Sequence, residues 1–330
     1  MVNVAVAGGT GGVGRTIVDA LRDDQSHKTI ALVRRAPENL DLGVPVIVVD
    51  YDNVEELHAV LEEHQVHTVI SALAMHIIGV GKSQLSLIEA ADGSSFTKRF
   101  VTSTWAVRPS TKQVSLPSES GTLATDTKHR YFDLLPHGFQ HIESYAALEK
   151  TALEWTAFGT GWFLEYFGMP HVDTYIPQTT FVVDMANKHA AIPGDGKQAM
   201  TFTYTKDVAK FVVAALDLPK WDRDNYIIGD KMTWEEFVRL AEEARGEKFT
   251  VTYDSVEKLK SGEITALPGQ VAAYSYFPKE WVEKLFSVFG FWVTEGIFDF
   301  PEDKALNRKF PDIKVTTVKE MLDKAWGGKS

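Results

Sequence analysis

Three glycines near the amino terminus have the spacing of a dinucleotide-binding loop. Gly8, Gly11 and Gly14 form a G-x-x-G-x-x-G pattern after a short apolar run and at the start of an amphipathic segment. In such a loop the first glycine permits a tight turn, the second lets a pyrophosphate approach the backbone, and the third lets the helix pack on the sheet. The helix amino terminus attracts the negative charge. Because the motif lies between a predicted strand and a predicted helix, we prefer a dinucleotide site to a plain turn.

Two arginines at the end of the second predicted strand indicate which dinucleotide binds. An acidic residue about 20 positions after the last glycine binds the ribose hydroxyls of NAD, whereas arginine there suits a 2′-phosphate. Arg34 stands at this position and Arg35 follows it. Guanidinium groups bind phosphate through two parallel hydrogen bonds. The pair therefore favours NADP(H), the alternative being a solvated charge pair that closes a strand.

Strand and helix signals alternate over the first part of the chain. Short apolar runs predict strands at 2–7, 29–33, 44–49, 66–73, 99–102 and 155–158, and helical spacing predicts helices at 12–23, after the cap residue Asn53, and at 82–91. Strands separated by helices of this length pair in parallel only through crossovers. We therefore predict an α/β fold with a Rossmann-type, doubly wound parallel sheet.

The length of the chain predicts two units. At about 150 residues per domain, 330 residues exceed one core. We predict an NADP-binding Rossmann domain at 1–160, to which a strand at 225–229 and its neighbouring helices could return. A smaller, mainly substrate-binding α/β domain would occupy 161–330. Residues 108–138 have no clear periodicity, and a loop of that length is usually functional or mobile.

Composition excludes several classes of function. The chain has 34 basic and 45 acidic residues, a net charge of −11 that argues against nucleic acid or an anionic membrane as partner. With no cysteine it has no thiolate nucleophile, disulfide or iron–sulfur cluster. No metal-ligand motif, membrane-spanning run or secretion signal is present in the sequence. We therefore expect no metal site and a cytoplasmic location.

Aromatic residues concentrate in one segment, where ten of the 27 residues at 274–300 are aromatic. Part of this segment is expected to be ordinary core. A second interpretation is an aromatic wall or lid for a flat, apolar ligand, formed by Tyr274, Tyr276 and Phe277. A third is a hydrophobic contact with another subunit or partner.

Four segments together resemble a known family. Gly-Gly-Thr-Gly-Gly-Val-Gly at 8–14, Ala-Leu-Val-Arg-Arg at 31–35, Arg-Phe-Val-Thr-Ser-Thr-Trp at 99–105 and Trp-Thr-Ala-Phe-Gly-Thr-Gly-Trp-Phe at 155–163 occur in this order. They resemble the NmrA-like and isoflavone reductase-like group of atypical short-chain dehydrogenases, and the later part of the chain is similar to fungal members. The resemblance implies an NADP-binding Rossmann domain, a smaller substrate domain and a cleft between them.

The resemblance also implies which residues contact the cofactor and the substrate. Positions expected at the phosphates, the adenosine half and the nicotinamide are Thr10, Gly11, Gly12, Val13, Arg34, Ala72, Leu73, Ser103, Thr104 and Trp105. Trp105, Trp162 and Phe163 are expected to shape the substrate pocket. The chain departs from the family's Pro-Ser-Glu-Phe stretch, because Thr102 and Thr104 replace its Pro and Glu.

The catalytic position differs from both known patterns. No tyrosine is followed four residues later by lysine, as in the Y-x-x-x-K motif of ordinary short-chain dehydrogenases. Reductases of the resembled family use a lysine at the start of a helix, and His141 occupies the corresponding position. Three explanations stay open: His141 is the proton donor, since its reference pKa near 6.5 suits an acid; Lys128 reaches the site from the long loop; or no reduction occurs.

We therefore expect an NADPH-dependent reductase that transfers hydride from the nicotinamide to a small aromatic or polyketide-like carbonyl, enone or ether. The alternatives are an NADP(H)-sensing regulatory protein without turnover, and a non-redox isomerase or cyclase on the same scaffold. The expected partner is a small aromatic or apolar molecule, and the expected oligomeric state is monomer or homodimer.

Overall fold

The computed structural model describes residues 1–36, 41–77, 79–107, 138–275 and 277–329. Its strands are β1 Asn3–Ala7, β2 Lys28–Val33, β3 Val46–Val48, β4 Thr68–Ser71, β5 Arg99–Val101, β6 Glu154–Gly159, β7 Trp162–Phe163, β8 Val183–Asp184, β9 His189–Pro193, β10 Ala199–Thr203, β11 Asp224–Tyr226, β12 Asp230–Thr233 and β13 Thr250–Asp254. Its α-helices are α1 Gly12–Asp24, α2 Val54–Glu63, α3 Val80–Gly93, α4 Phe139–Leu148, α5 Thr205–Ala215, α6 Trp234–Arg245, α7 Val256–Lys260, α8 Lys279–Thr294 and α9 Val318–Trp326.

The largest sheet has seven parallel strands in the order β3-β2-β1-β4-β5-β6-β11. The chain order reverses between β1 and β4, so the connections leave the sheet in opposite directions there. In open α/β sheets this switch point opens a crevice beyond the carboxyl ends of the strands, where ligands bind. The predicted Rossmann-type fold is confirmed.

Helices cover both faces of this sheet. Successive side chains of a strand point to opposite faces, so each strand contributes to two cores. On β1, Val4 and Val6 pack with residues of α1 and α5, whereas Ala5 and Ala7 face the core formed with α2, α3 and α4. All four side chains are buried. This two-sided burial explains why the strand reads as a continuous apolar run.

Two smaller sheets and a third core lie in the second half of the chain. The first sheet has the order β12-β10-β7 and the second has the order β13-β9-β8. Their core is strongly aromatic and includes Trp234, Phe291 and Trp292. Most of the predicted aromatic segment is therefore core, since α8 buries one face against these sheets.

The chain returns to the large sheet after entering the second half. Helix α5 packs against α1, and β11 pairs with the edge strand β6. The strand expected at 225–229 is Asp224–Tyr226. The division of the chain at residue 160 stays a prediction.

Local helix-start signals agree with the structure. The Asn53 side chain accepts a hydrogen bond from the Glu56 amide at the start of α2. Thr233 and Glu236 form a reciprocal capping box at the start of α6. Among the described residues, no helix is long and apolar enough to cross a membrane.

Candidate functional site

The glycine loop joins β1 to α1 at the switch point of the sheet. Gly8 has a φ of 79° and Gly12 a φ of 47°, which glycine adopts at little cost. Gly11 is the N-cap of α1 and provides no side-chain hydrogen bond to the first turn. The amide groups of that turn have no intrahelical partner and lie beside the exposed Thr10 and Gly11. This helix start can bind an anion.

Gly14 packs the helix tightly against the turn below it. A Cβ atom on Gly14 would lie 2.2 Å from the carbonyl oxygen of Gly8 and 3.0 Å from the Cβ of Ala72. A Cβ atom on Gly11 would have no heavy atom within 4 Å. The two glycines therefore serve different purposes: Gly14 permits close packing, and Gly11 leaves space in front of the loop. This cradle fits a pyrophosphate.

A buried cation follows the last glycine. Arg15 is 8% exposed, and its Nε lies 3.0 Å from Asp19 Oδ1. Its Nη1 is buried without a hydrogen-bond partner among the described residues. Tyr175, from the second half of the chain, lies over the guanidinium at 5.4 Å and donates a hydrogen bond to Asp19. A basic and an aromatic side chain thus lie beside the start of α1.

The carboxyl end of β2 is fixed beside the loop by a buried tyrosine. Tyr51 donates a hydrogen bond to the carbonyl of Leu32 at 3.0 Å, and burial raises the pKa of its hydroxyl. The amide of Gly8 donates to the same Leu32 carbonyl at 3.1 Å. Arg34 and Arg35 follow this strand and are exposed. Both arginines therefore leave the sheet next to the glycine loop, where a 2′-phosphate would lie.

A fully buried glutamine joins the carboxyl ends of β4 and β5. Gln84 Oε1 accepts hydrogen bonds from the Ser71 hydroxyl at 2.8 Å and the Ser103 amide at 3.0 Å. Ser103 Oγ donates to the Leu73 carbonyl at 2.7 Å. The predicted adenosine-side residues Ala72 and Leu73 and the predicted nicotinamide-side residue Ser103 are thus brought together at one edge of the sheet.

Trp105 extends this edge toward the second half of the chain. Its indole nitrogen donates to the Ser71 carbonyl at 3.1 Å, and its ring stacks on Phe158 at 5.8 Å. The indole is half-buried. It is therefore held by β4 and β6 while one part of its surface stays open.

Gln140 fixes the loop after β4 to the start of α4. Its Nε2 donates to the carbonyls of Met75 at 2.7 Å and Ile77 at 3.1 Å, and its Oε1 accepts from the amides of Gly79 at 3.2 Å and Gly81 at 2.9 Å. The side chain is 3% exposed. His76 on that loop and His141 on the helix are consequently held near each other.

His141 lies in a hydrogen-bonded group with two hydroxyl side chains. Its Nδ1 is 3.3 Å from Thr104 Oγ1, and the Tyr145 hydroxyl donates to the same Thr104 oxygen at 2.9 Å. Burial lowers the pKa of His141 to about 4, and nearby His76 contributes. The reference value near 6.5 therefore does not hold at this position, and His141 is neutral at pH 7. As a proton donor it would act from a neutral imidazole N–H.

The predicted pocket aromatics divide into two groups. Trp162 is 7% exposed and lies in an aromatic core, with Phe181 at 4.4 Å. Phe163 is half-buried beside Tyr166 at 6.1 Å. Their contribution to the pocket stays a prediction.

The other group is formed by Phe277 and Tyr274. Phe277 is 36% exposed, stacks on Trp281 at 4.8 Å and contacts His76 edge-on at 6.2 Å. Tyr274 is half-buried, and its hydroxyl has no hydrogen-bond partner among the described residues. Because His76 lies beside His141, Phe277 stands near the catalytic candidates. Lys128 and Tyr276 lie outside the described residues.

Sequence reasoning missed several residues of this site. Tyr51, Gln84 and Gln140 have no motif, and their side-chain hydrogen bonds join residues at least 13 positions apart, whereas Trp281 stacks on Phe277 four positions before it. Tyr145 is one of the tyrosines that have no lysine four residues later in the sequence. The described residues contain no group of three His, Asp or Glu side chains able to hold a metal ion.

Comparison with known proteins identifies the family. Residues 8–219 match the family model described as NAD(P)H-binding, and this match covers more than half of the chain. The chain belongs to this NAD(P)H-binding family. Oxidoreductase BOA1 of Botryotinia fuckeliana is 36% identical over 318 residues, which are 95% of this chain and 96% of that protein. Oxidoreductase swnN of Metarhizium robertsii is 32% identical over 340 residues, 99% of this chain and 98% of that protein.

Solved structures confirm the fold of this family member. AtPrR2 with NADP⁺ and (+)pinoresinol matches with a TM-score of 0.69 at 22% identity, over 98% of each chain. Isoflavone reductase matches with a TM-score of 0.69 at 20% identity, again over 98% of each chain. The predicted resemblance to the isoflavone reductase-like group is confirmed. The family match and the two fungal relatives identify the protein as an NAD(P)H-binding oxidoreductase.

Proposed function

We propose that this oxidoreductase uses NADPH to reduce a small aromatic or polyketide-like carbonyl, enone or ether. The observation that carries the proposal is the position of Arg34 and Arg35, which follow β2 beside the glycine loop. In a chain with a net charge of −11, this doublet is a local anion site. An acidic residue, which would bind the ribose hydroxyls of NAD, is absent from both positions.

The protein's own groups supply binding and orientation. The amides at the start of α1 and the space in front of Gly11 bind the pyrophosphate, and Arg34 binds the 2′-phosphate. When bound, the cofactor supplies the hydride. Ser103, Thr104 and Trp105 lie at the carboxyl end of β5, and the substrate carbon is held on this side of the crevice. His141 is the proposed donor of the proton.

The aromatic substrate class is supported by the second half of the chain. Phe277 stacks on Trp281 and contacts His76, so a planar ligand can stack beside the catalytic candidates. AtPrR2, which shares the fold, was solved with a small aromatic molecule, (+)pinoresinol. An apolar aromatic ligand suits such a wall better than a charged one.

A second candidate function is NADP(H) sensing without turnover. The observation in its favour is the imidazole at position 141, which has a pKa of about 4 and carries no positive charge at neutral pH. The sequence has neither the family's lysine at position 141 nor a Y-x-x-x-K lysine. Consumption of NADPH with an aromatic carbonyl separates this candidate from the reductase.

Fluorescence titration with NADPH and NADH tests the cofactor assignment. Hydrogen bonds to charged groups contribute about 1.5–3 kcal/mol, so Arg34→Ala should weaken NADPH binding by about tenfold to a hundredfold. Binding of NADH should not change. The control is Arg239→Ala, which removes an exposed arginine on α6 that pairs with Glu243. If NADH binds the wild type as tightly as NADPH, and Arg34→Ala alters neither, the NADP assignment is wrong.

A further inference from the structure

Tyr145, Thr104 and His141 form a continuous hydrogen-bonded row that ends beside the proposed substrate site. The Tyr145 hydroxyl donates to Thr104 Oγ1 at 2.9 Å, and Thr104 Oγ1 lies 3.3 Å from His141 Nδ1. Tyr145 and Thr104 are each 3% exposed, whereas His141 is partly exposed. The row therefore leads from a buried phenol to the edge of the crevice.

We propose that this row is a proton relay, in which Tyr145 is the proton source, Thr104 passes the proton on, and Nε2 of His141 delivers it to the substrate. The proposal rests on the proposed reductase function and assigns Tyr145 a role outside the Y-x-x-x-K motif. Tyr145 and Thr104 act through His141, which is the group that touches the substrate.

The relay requires one tautomer of His141. A threonine hydroxyl has a single hydrogen, and its oxygen already accepts from Tyr145. In the relay Thr104 donates this hydrogen to Nδ1, which must be unprotonated to accept it. The neutral imidazole then carries its own hydrogen on Nε2, and that atom is the donor.

The proton balance closes without another reactant. The substrate carbon gains a hydride from the nicotinamide while the substrate oxygen takes the hydrogen of Nε2. Nδ1 takes the hydrogen of Thr104, and Thr104 takes the hydrogen of Tyr145, which becomes phenolate. NADP⁺ and the reduced product leave. A proton from water then returns along the same row, through His141, to Tyr145.

The fold holds the three groups in line. His141 and Tyr145 stand four residues apart on α4, a spacing that places them on one face of the helix. Thr104 follows β5, and Gln140 anchors the start of the helix to the loop after β4. The titratable side chain that faces His141 from that loop is His76, and the described groups on α4 that share its face include Tyr145.

The first arm of the test reads the tautomer by NMR of ¹⁵N-labelled histidine in the NADPH complex, with His141 assigned from the His141→Asn spectrum. We expect the Nε2–H form in the wild type and in Thr104→Ser, which keeps the hydroxyl. Thr104→Val removes the donor to Nδ1, so the ¹⁵N shift of Nδ1 should move toward that of an imidazole nitrogen that accepts no hydrogen bond. A wild-type spectrum with the hydrogen on Nδ1 overturns the relay.

The second arm measures NADPH oxidation with 9,10-phenanthrenequinone as probe. Because general acids contribute about 10²–10⁴-fold, Tyr145→Phe should lower kcat by about a hundredfold, with NADPH affinity unchanged. Tyr253→Phe is the matched control, since Tyr253 is exposed on β13 far along the chain. Wild-type kcat in Tyr145→Phe overturns the relay.

The pH profile separates proton supply from a structural role. In the wild type kcat should be nearly constant across neutral pH. In Tyr145→Phe only the imidazolium form of His141 can donate, so kcat should rise about tenfold per pH unit as the pH falls toward about 4. A uniformly lowered, flat profile contradicts the relay. A wild type that does not bind NADPH refutes the proposed function instead, whatever the tautomer.

Discussion

Gly11 and Gly14 lie in the same loop, and an added methyl group should have opposite consequences at the two positions. At Gly14 the new Cβ would lie 2.2 Å from the Gly8 oxygen and 2.8 Å from the Gly8 carbonyl carbon. These are backbone atoms of a tight turn, so α1 must move away from the sheet. At Gly11 the backbone is extended, with φ −133° and ψ 151°, and nothing lies within 4 Å.

The expected energies follow from these contacts. Overpacking costs about 1–3 kcal/mol, and two backbone contacts below 3 Å place Gly14→Ala in the upper half of that range, even after about 1 kcal/mol gained from helix propensity. The free energy of unfolding should fall by about 2 kcal/mol. Gly11→Ala replaces a tolerable N-cap with a poor one, a cost below about 1 kcal/mol. Its methyl group occupies the space proposed for the pyrophosphate, so NADPH should bind about tenfold weaker or more.

Urea unfolding without cofactor and fluorescence titration with NADPH distinguish the two effects. Gly14→Ala should be clearly less stable than Gly11→Ala. Gly11→Ala should keep near-wild-type stability and lose NADPH affinity. If Gly11→Ala binds NADPH as tightly as the wild type, the pyrophosphate does not lie over this loop. If Gly14→Ala has the wild-type free energy of unfolding, α1 does not pack closely against the turn at Gly8.

Three further changes test other parts of the site. Gln140→Leu leaves the amides of Gly79 and Gly81 and two carbonyls without their hydrogen-bond partner. The free energy of unfolding in urea should therefore fall by about 1–3 kcal/mol. An unchanged value would contradict the role of Gln140 in holding the loop to α4. The pKa of His141 is lower in the folded protein than in the unfolded chain, so the neutral imidazole favours the folded state. This contribution to the free energy of unfolding is complete above about pH 6.5. It is lost as the pH falls toward 4, at up to about 1.4 kcal/mol per pH unit. His141→Asn should show a shallower fall in urea titrations over that window, and an identical fall would contradict the buried neutral imidazole. Phe277→Ala should leave NADPH affinity unchanged and raise the KM of an aromatic probe by about threefold to tenfold, because a ring contact contributes about 0.5–1.5 kcal/mol; an unchanged KM would remove Phe277 from the pocket.

Local signals in the sequence were sufficient for the fold and for the glycine loop between β1 and α1. The glycine spacing, the apolar run before it and the arginines after β2 depend on neighbouring residues. The Asn53 cap and the Thr233 capping box are equally local, and both are present in the structure. Such patterns depend on the geometry of neighbouring residues, so they can be recognised in a single sequence.

The catalytic half depends on contacts between distant segments. Tyr145 and Thr104 are 41 residues apart, and Gln140 reaches Met75 over 65 residues. Neither contact produces a periodic pattern in the sequence. The pKa of His141 follows from burial, which the sequence does not contain. The aromatic segment was ambiguous for a related reason, since only the packing of α8 shows that Phe291 and Trp292 are core while Phe277 is exposed.

Transfer of deuterium from NADPH labelled at nicotinamide C4 tests the proposed reduction most directly. The purified protein is incubated with labelled NADPH and, separately, an aromatic aldehyde, an aromatic enone and a benzylic ether, and the products are analysed by mass spectrometry. A reductase predicts one deuterium on carbon in a reduced product, formed in equal amount to NADP⁺. Full recovery of labelled NADPH and of all three unreduced probes, with NADPH bound, would contradict the reductase and favour the sensing protein.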